Sequence, residues 1–297
     1  MHFTFPARLL ILASSILGSV VALPTSPDLN PRQGPNTLSS VYPNDQTGPI
    51  NLTAWLVPVT KTQASKLAGG RTLLQPSGLP SGYSLGEDQH PLLFLMNYFT
   101  DISMYNFTAI KQMSELNLYV PWVQGVASSQ KPFSYHSRTF SDSLIASLLG
   151  NLFQDANARL ASFHPPRGAY KAIGSSSFSL TVDVGLIKNN TDGPELSSPL
   201  FISTFQRSSS PMMTVDFLSS TLRQPVIRSG RKSSKGTCHK ESYRFNETFA
   251  NPFAVHGNLQ TGSDYTIEPM RFENAQGLTA TAEWMLSPSA FPCASLL

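Results

Sequence analysis

Short segments rich in β-branched and aromatic residues recur along most of this sequence, and turn-forming residues separate them. Runs of this composition, bounded by Gly, Pro, Ser and Asn, are typical of β-strands. Many short strands in one chain favour a β-barrel or a β-sandwich, because both architectures bury strands against one another. The predicted strand segments are 52–59, 92–99, 116–123, 177–187, 199–205, 212–218, 265–272 and 278–286.

One segment has helical rather than strand spacing. Apolar residues between Leu144 and Leu160 recur at three- and four-residue intervals, so that they fall on one helical face. Ser141 or Asp142 is in position to cap the N-terminus of such a helix. The spacing predicts a helix over 142–161, and a shorter helix is predicted over 62–68.

The N-terminus has the layout of a secretory signal peptide. Arg8 precedes an apolar run over 9–17, and small residues lead to Ala22. The run is shorter than the roughly 20 apolar residues that span a bilayer. We predict a signal peptide over 1–22, a disordered leader or pro-segment over 23–34 with a cleavage site after Arg32, and a single β-rich domain over 35–297. These features are typical of a secreted, extracellular, fungal-type protein.

Cysteine and sequon content agree with that route. Cys238 and Cys293 are the two cysteines of the chain. Two cysteines that reach an oxidising compartment are expected to pair, so one disulfide is predicted. We also expect a glycoprotein in which some of the Asn-X-Ser/Thr sequons carry glycan. These sequons begin at Asn51, Asn106, Asn189 and Asn246.

Charge and motif content exclude several function classes. A formal net charge of +3 favours neither nucleic acid nor an anionic membrane as a partner, and the basic loop over 228–240 is interpreted as solvated surface. Histidines are scattered without the spacing of metal ligands, and phosphate-binding glycine patterns are absent from the sequence. We predict no metal and no cofactor.

A G-x-S-x-G pattern is present at 82–86, with Ser84 at its centre. In serine hydrolases this serine lies on a tight turn between a buried strand and a helix. Here a segment rich in Pro, Gly and Ser precedes the pattern, and polar residues follow it. The context favours a loop over a catalytic nucleophile.

Three stretches resemble the acetoacetate decarboxylase family. The stretch 113–121, MSELNLYVP, is similar to the family pattern P-Y-x-E-L-x-x-V-P, in which the glutamate lies at the start of a strand that lines the active-site cavity. Residues 51–58, NLTAWLVP, resemble the first strand of the family. Residues 145–161 align with the signature G-R-E-x-x-G-F-P-K-K-L-A. The resemblance covers about 41–170.

The resemblance implies a mainly β fold, a closed β-cone or double barrel with one or two flanking helices around a cavity with a polar floor. It implies a small carbonyl or carboxylate compound as ligand, and it leaves the oligomeric state open. Acetoacetate decarboxylase uses a lysine that forms a Schiff base with its substrate. In the alignment the two signature lysines fall on Ala158 and Arg159, and arginine stays protonated and does not attack a ketone.

Two hypotheses follow for the function. In the first, Glu115 and Arg159 are the catalytic residues of a lyase or isomerase that acts by acid/base chemistry without a Schiff base. This hypothesis predicts that both side chains point into one enclosed cavity. In the second, the protein binds a small molecule on the same scaffold without catalysis, and Glu115 is paired or faces solvent.

Overall fold

The computed structural model describes residues 34–105, 107–127, 129–185, 199–210, 212–229, 237–246 and 248–297. The predicted signal peptide and the predicted leader up to residue 33 lie outside these ranges. So do most of the basic loop 228–240, Glu247 of the last sequon, and the sequon asparagines Asn106 and Asn189. None of the helices in the described ranges has the length and apolarity needed to cross a membrane.

Strands dominate the structure. They are β1 (Gln46–Thr60), β2 (Gln89–Met104), β3 (Phe107–Gln124), β4 (Pro132–Ser141), β5 (Ala158–His164), β6 (Lys171–Ala172), β7 (Ser177–Val184), β8 (Phe201–Arg207), β9 (Val226–Arg228), β10 (Thr237–Cys238), β11 (Glu241–Arg244), β12 (Phe253–Thr261), β13 (Met270–Leu286) and β14 (Phe291–Pro292). The helices are α1 (Leu38–Val41), α2 (Lys61–Leu67), α3 (Leu144–Phe153), α4 (Val215–Leu222) and α5 (Ser263–Thr266), and a 3-10 turn follows at Cys293–Leu296.

Nine of these strands close into a barrel. Their order is β1-β2-β3-β4-β5-β7-β8-β12-β13, and β13 pairs back onto β1 along most of its length. All neighbours around the barrel are antiparallel except β4 and β5, which run parallel because α3 connects them. Closure leaves these strands without free edges. The predicted mainly β, closed-barrel fold with flanking helices is confirmed.

The long strands bury both of their faces. One face fills the barrel, where aromatic rings from opposite sides meet, as in the edge-on pair of Trp55 and Phe205 with ring centroids 5.4 Å apart. The other face of β1, β2, β3 and β13 forms a second core under α4 and β11. Phe217 and Leu218 of α4 and Tyr243 of β11 are buried in this second core. The candidate site lies beside it, outside the barrel.

The predicted helix over 142–161 is too long. Ser143 caps α3, with its hydroxyl oxygen accepting a hydrogen bond from the Ala146 N–H at 3.2 Å, and the helix ends at Phe153. Asp155 and Asn157 have positive φ angles of 55° and 50°, which end the helix and turn the chain into β5. The residues after 157 therefore form a strand.

Two predicted strands are also wrong in part. Residues 212–218 were expected in a strand, but α4 begins at Val215, because the Thr214 hydroxyl oxygen accepts a hydrogen bond from the Phe217 N–H at 3.2 Å. The apolar residues of this segment pack on the second core from a helix. In the segment 265–272, Tyr265 lies in α5, and the strand begins at Met270.

The predicted disulfide between Cys238 and Cys293 is confirmed. It links β10 to the 3-10 turn near the C-terminus, with the two Cα atoms 5.0 Å apart. Both cysteines are buried.

We expect replacement of both cysteines by alanine to lower the free energy of unfolding by about 4 kcal/mol, because the bond closes a loop of 55 residues in the unfolded chain. Urea unfolding curves of the variant and of the unaltered protein measure this difference. Dithiothreitol should lower the unfolding midpoint of the unaltered protein and leave that of the variant unchanged. Equal midpoints for the variant and the unaltered protein without dithiothreitol would contradict the prediction.

Candidate functional site

A cavity of about 120 Å³ lies between the second core and helix α3. Its floor comes from β3, β4, β9 and β11, and its walls come from α3, the β2–β3 hairpin and β13. The charged residues among the described lining are all on the floor: Glu115, Arg228 and Glu241. Uncharged polar lining residues are Gln46, Asn117, Tyr119, His136, Thr139, Ser141, Ser147, Gln154 and Tyr243.

The alternation of β3 places three polar side chains on the floor. Glu115, Asn117 and Tyr119 line the cavity, whereas the intervening Leu116 and Leu118 are buried in the barrel core. Successive side chains of a strand point to opposite faces, so a pattern of polar and apolar residues at every second position separates cavity from core. The polar–apolar pattern over 115–120 therefore reflects a strand with one face on the cavity and the other face in the barrel core.

Glu115 is half-buried and lines the cavity. The Asn117 side-chain amide donates a hydrogen bond to its carboxylate at 3.1 Å. Burial raises the pKa of Glu115 to about 7, an effect that the Asn117 hydrogen bond and the positive charge of Arg228 oppose and that Glu241 and Asp142 reinforce. At neutral pH, both protonation states of this carboxyl are therefore populated, as acid/base chemistry requires.

Arg228 and Glu241 form a buried ion pair on the floor, with 5% and 7% of their surfaces exposed. The second carboxylate oxygen of Glu241 accepts a hydrogen bond from the Tyr119 hydroxyl at 3.0 Å. The Arg228 Nε, a buried donor, has no hydrogen-bond partner among the described residues. A ligand carboxylate or enolate oxygen is the acceptor that suits this donor.

His136 supports the floor as a neutral side chain. Its ring stacks on Tyr119 with ring centroids 4.3 Å apart, and its Nε2 lies 3.0 Å from the Asn117 side-chain oxygen and 2.7 Å from the Thr139 hydroxyl. Burial, and next the positive charge of Arg228, hold the pKa of His136 well below its ordinary value. Arg228 is therefore the single cationic side chain of the described lining at neutral pH.

Tyr119 and Tyr243 remain phenols. Burial first, and then the negative charge of Glu241, raise the pKa of both hydroxyls well above the ordinary value. Both side chains line the cavity. The Tyr119 hydroxyl donates its hydrogen bond to Glu241 and so belongs to the polar floor.

Arg159 does not share the cavity with Glu115, and that part of the sequence prediction is wrong. Its guanidinium donates a hydrogen bond to Asp264 at 3.1 Å, and its side chain is 45% exposed. The cause is strand alternation: Ala158, one position earlier in β5, lines the cavity, so its neighbour points away. The position that the alignment equates with a signature lysine is therefore inside the site, but an alanine occupies it.

The floor residues Arg228, Glu241 and His136 were missed by the sequence prediction. Arg228 was assigned to the basic loop, although it ends the short strand β9, which pairs in parallel with β4 so that His136 and Arg228 are neighbours. The alternation of Glu241 and Tyr243 is a strand signal of the same kind as in β3, but it extends over four residues only. So short a pattern does not distinguish a cavity strand from a surface loop.

The remaining motifs do not contribute to this site. Ser84 is exposed in the loop between α2 and β2, so no strand precedes it and no helix follows it as a nucleophile elbow requires. The described part of the chain contains no group of His, Cys, Asp or Glu that is arranged to hold a metal ion. Within the same ranges, no lysine lines the cavity.

Comparison with known proteins gives structural neighbours only. No protein-family model matches the chain, and no curated protein matches it in sequence. The enduracididine biosynthesis enzyme MppR complexed with pyruvate aligns with a TM-score of 0.53 and 10% identity over 86% of this chain and 92% of that chain. MppR complexed with the condensation product of pyruvate and imidazole 4-carboxaldehyde aligns with a TM-score of 0.53 and 12% identity over 92% of this chain and 97% of that chain.

The acetoacetate decarboxylase of Legionella pneumophila aligns with a TM-score of 0.46 and 12% identity over 92% of this chain and 96% of that chain. Identities this low show likeness of fold and nothing about activity. The described part of the chain shares the fold of the MppR structures, a mostly β fold that closes into a barrel.

Proposed function

We propose that this protein is a secreted enzyme that moves protons next to the carbonyl of a small oxo acid, without a Schiff-base lysine. The observation that carries the proposal is the presence of Glu115 and Arg228 in one cavity, the first with a pKa of about 7. One group is suited to exchange a proton at neutral pH, and the other is suited to hold an anion. Oxo acids are chosen as ligands because MppR is complexed with pyruvate.

In the proposed step, the Glu115 carboxylate removes a proton from the carbon next to the carbonyl. The electron pair of the C–H bond moves to the carbonyl oxygen and gives an enolate. Arg228 offsets the charge of this enolate. Return of the proton from Glu115 restores the ketone, so isomerisation or proton exchange is the simplest outcome.

A non-catalytic binding protein is the second candidate. It is favoured by the pairing of Arg228 with Glu241, because a satisfied ion pair of this kind also suits a purely structural polar floor. Absence of lysine from the described lining fits either candidate.

The experiment that separates the two candidates follows pyruvate in D₂O by proton NMR with catalytic amounts of the purified protein. Loss of the methyl signal faster than in buffer alone supports the enzyme. Binding that is measured by calorimetry in the absence of exchange supports the binding protein. Neither binding nor exchange, for pyruvate and for longer 2-oxo acids, would overturn both candidates.

Secretion is part of the proposal and rests on the sequence of 1–22, the sequons and the disulfide of Cys238 with Cys293. Intact-mass measurement of the protein from culture medium, before and after deglycosylation, tests it. A mature N-terminus at Leu23 or after Arg32 with glycan mass supports secretion. An uncleaved chain inside the cell would contradict it.

We expect no covalent adduct when the protein is treated with borohydride in the presence of pyruvate, because a Schiff base needs an amine in the site. Ala158→Lys should form such an adduct, because position 158 lines the same cavity as Arg228, whose positive charge favours a neutral amine. Intact mass with peptide mapping measures both results. The matched control is Arg159→Lys, which places an amine on the outer face of the same strand. An adduct in the unaltered protein would refute a mechanism without imine.

A further inference from the structure

We infer that the site selects 2-oxo acids with an unbranched apolar chain, of about six to eight carbons in total, over pyruvate. This inference rests on the proposed function and names its substrate class. Three observations carry it: the separation of charge from apolar surface in the cavity, the size of the cavity, and the position of one leucine of α3.

Charge is confined to one end of the cavity. Glu115, Arg228 and Glu241 come from strands that meet at the floor, and the walls above them carry no charge among the described residues. Most of the wall residues have aliphatic, methionine or aromatic side chains, and Gln46, Ser147 and Gln154 are uncharged polar exceptions. The apolar ones are Phe99, Ile102, Met104, Ala109, Ile110, Met113, Ala146, Leu149, Trp284 and Leu286. A ligand that fits has an anionic end for the floor and an apolar part for the walls.

Two aromatic rings form part of the cavity wall. Phe99 and Trp284 meet edge to face with ring centroids 5.1 Å apart, and both are buried. Because the two rings pack against each other, they cannot easily move apart to make room for a branched group, and they offer a polar group no hydrogen-bond acceptor. The wall therefore favours an extended methylene chain.

The size of the cavity sets the chain length. A site for one water needs about 10–15 Å³ of such volume, so about 120 Å³ accommodates about eight to twelve non-hydrogen atoms. Pyruvate has six non-hydrogen atoms and leaves the wall unfilled. A 2-oxo acid of seven carbons has ten, so it extends from the floor along both walls.

Leu149 and Leu148 provide a matched pair on α3. Leu149 lines the cavity and is 38% exposed, whereas Leu148 is 53% exposed and does not line it. Neither is buried in a core, so a polar replacement of either leaves the fold intact. Contact with a ligand chain should therefore depend on Leu149 and not on its neighbour.

Titration calorimetry of the purified protein with pyruvate, 2-oxobutanoate, 2-oxohexanoate and 2-oxooctanoate tests the inference. We expect affinity to rise about three- to fourfold for each added methylene group until the cavity is filled, since each buried methylene contributes that factor. Affinity for 2-oxodecanoate should rise no further. Equal or falling affinity along the series, with pyruvate still bound, would overturn the chain-length inference and leave the proposed function standing. Failure of every acid to bind would overturn the proposed function itself.

Leu149→Gln should remove at least threefold of the preference for 2-oxohexanoate over pyruvate. Leu148→Gln should leave both affinities unchanged. A loss of the preference in both variants, or in neither, would overturn the assignment of the chain contact to Leu149.

Discussion

Replacement of Glu115 by glutamine is expected to slow the exchange of 2-oxo acid protons by about 10²–10⁴-fold, because an amide cannot accept the proton that the carboxylate removes. Binding of the same acid should stay within a few fold, since the Asn117 contact and Arg228 remain. NMR exchange rates and calorimetry measure the two effects separately. Glu273→Gln, at an exposed position of β13, is the matched control and should change neither.

The pH profile gives this prediction a second test. Ionisation of Glu115 is needed for proton removal, so the exchange rate should rise with pH and reach half of its maximum near pH 7, the pKa that burial gives this carboxyl. A profile with its midpoint near the ordinary glutamate pKa of 4.5 would contradict the raised pKa of Glu115. Exchange that survives in Glu115→Gln would assign the base to another residue.

The free energy of unfolding should also depend on the ionisation of Glu115, but it should fall over the pH range in which the exchange rate rises. The folded pKa of Glu115 is raised from 4.5 to about 7, so the unfolded chain releases this proton first. The Glu115 contribution to the free energy of unfolding is therefore lost as pH rises from about 4.5 to 7. The free energy of unfolding of Glu115→Gln should not show this fall, because the glutamine side chain does not titrate. His239, whose pKa burial lowers to about 4, acts in the other direction but is present in both proteins and cancels in the difference.

The second large effect concerns the buried ion pair. We expect Arg228→Gln to lower the free energy of unfolding by about 3–5 kcal/mol, because it leaves the Glu241 carboxylate buried without its cation. The double variant Arg228→Gln/Glu241→Gln should regain most of that stability, since it buries no unpaired charge. Urea unfolding at pH 7 measures both. A double variant that is no more stable than the single one would refute charge burial as the cause.

The folded double variant also tests the role of Arg228 in binding. Its affinity for 2-oxo acids should be at least tenfold lower than that of the unaltered protein, since a charge-assisted hydrogen bond to a carboxylate contributes about 1.5–3 kcal/mol. Unchanged affinity in a folded double variant would place the anion elsewhere in the cavity.

Local composition was sufficient to predict the strand-rich fold, and a resemblance in one stretch pointed to one side chain of the candidate site. Segments such as 92–99 and 278–286 are long enough, and apolar enough on both faces, that few other structures bury them. Glu115 was found because the stretch 113–121 resembles a motif of the acetoacetate decarboxylase family in which a glutamate begins a strand of the cavity. The disulfide was predicted because the chain has two cysteines and a predicted signal peptide that leads to an oxidising compartment. Helix α4 was not predicted, because Val215, Phe217 and Leu218 have strand composition. The Thr214 cap and the packing of Phe217 and Leu218 on the second core favour the helix.

The alternating sequence of β3 thus determined which face carries Glu115, but only tertiary structure decided what Glu115 meets. Arg228 and Glu241 follow it by more than one hundred residues, on short strands whose pairing with β4 and β13 brings them to the same floor. Arg159 was lost from the site because one step along a strand reverses the direction of a side chain. The charges that surround a buried group depend on contacts between distant segments, and no local pattern encodes those contacts.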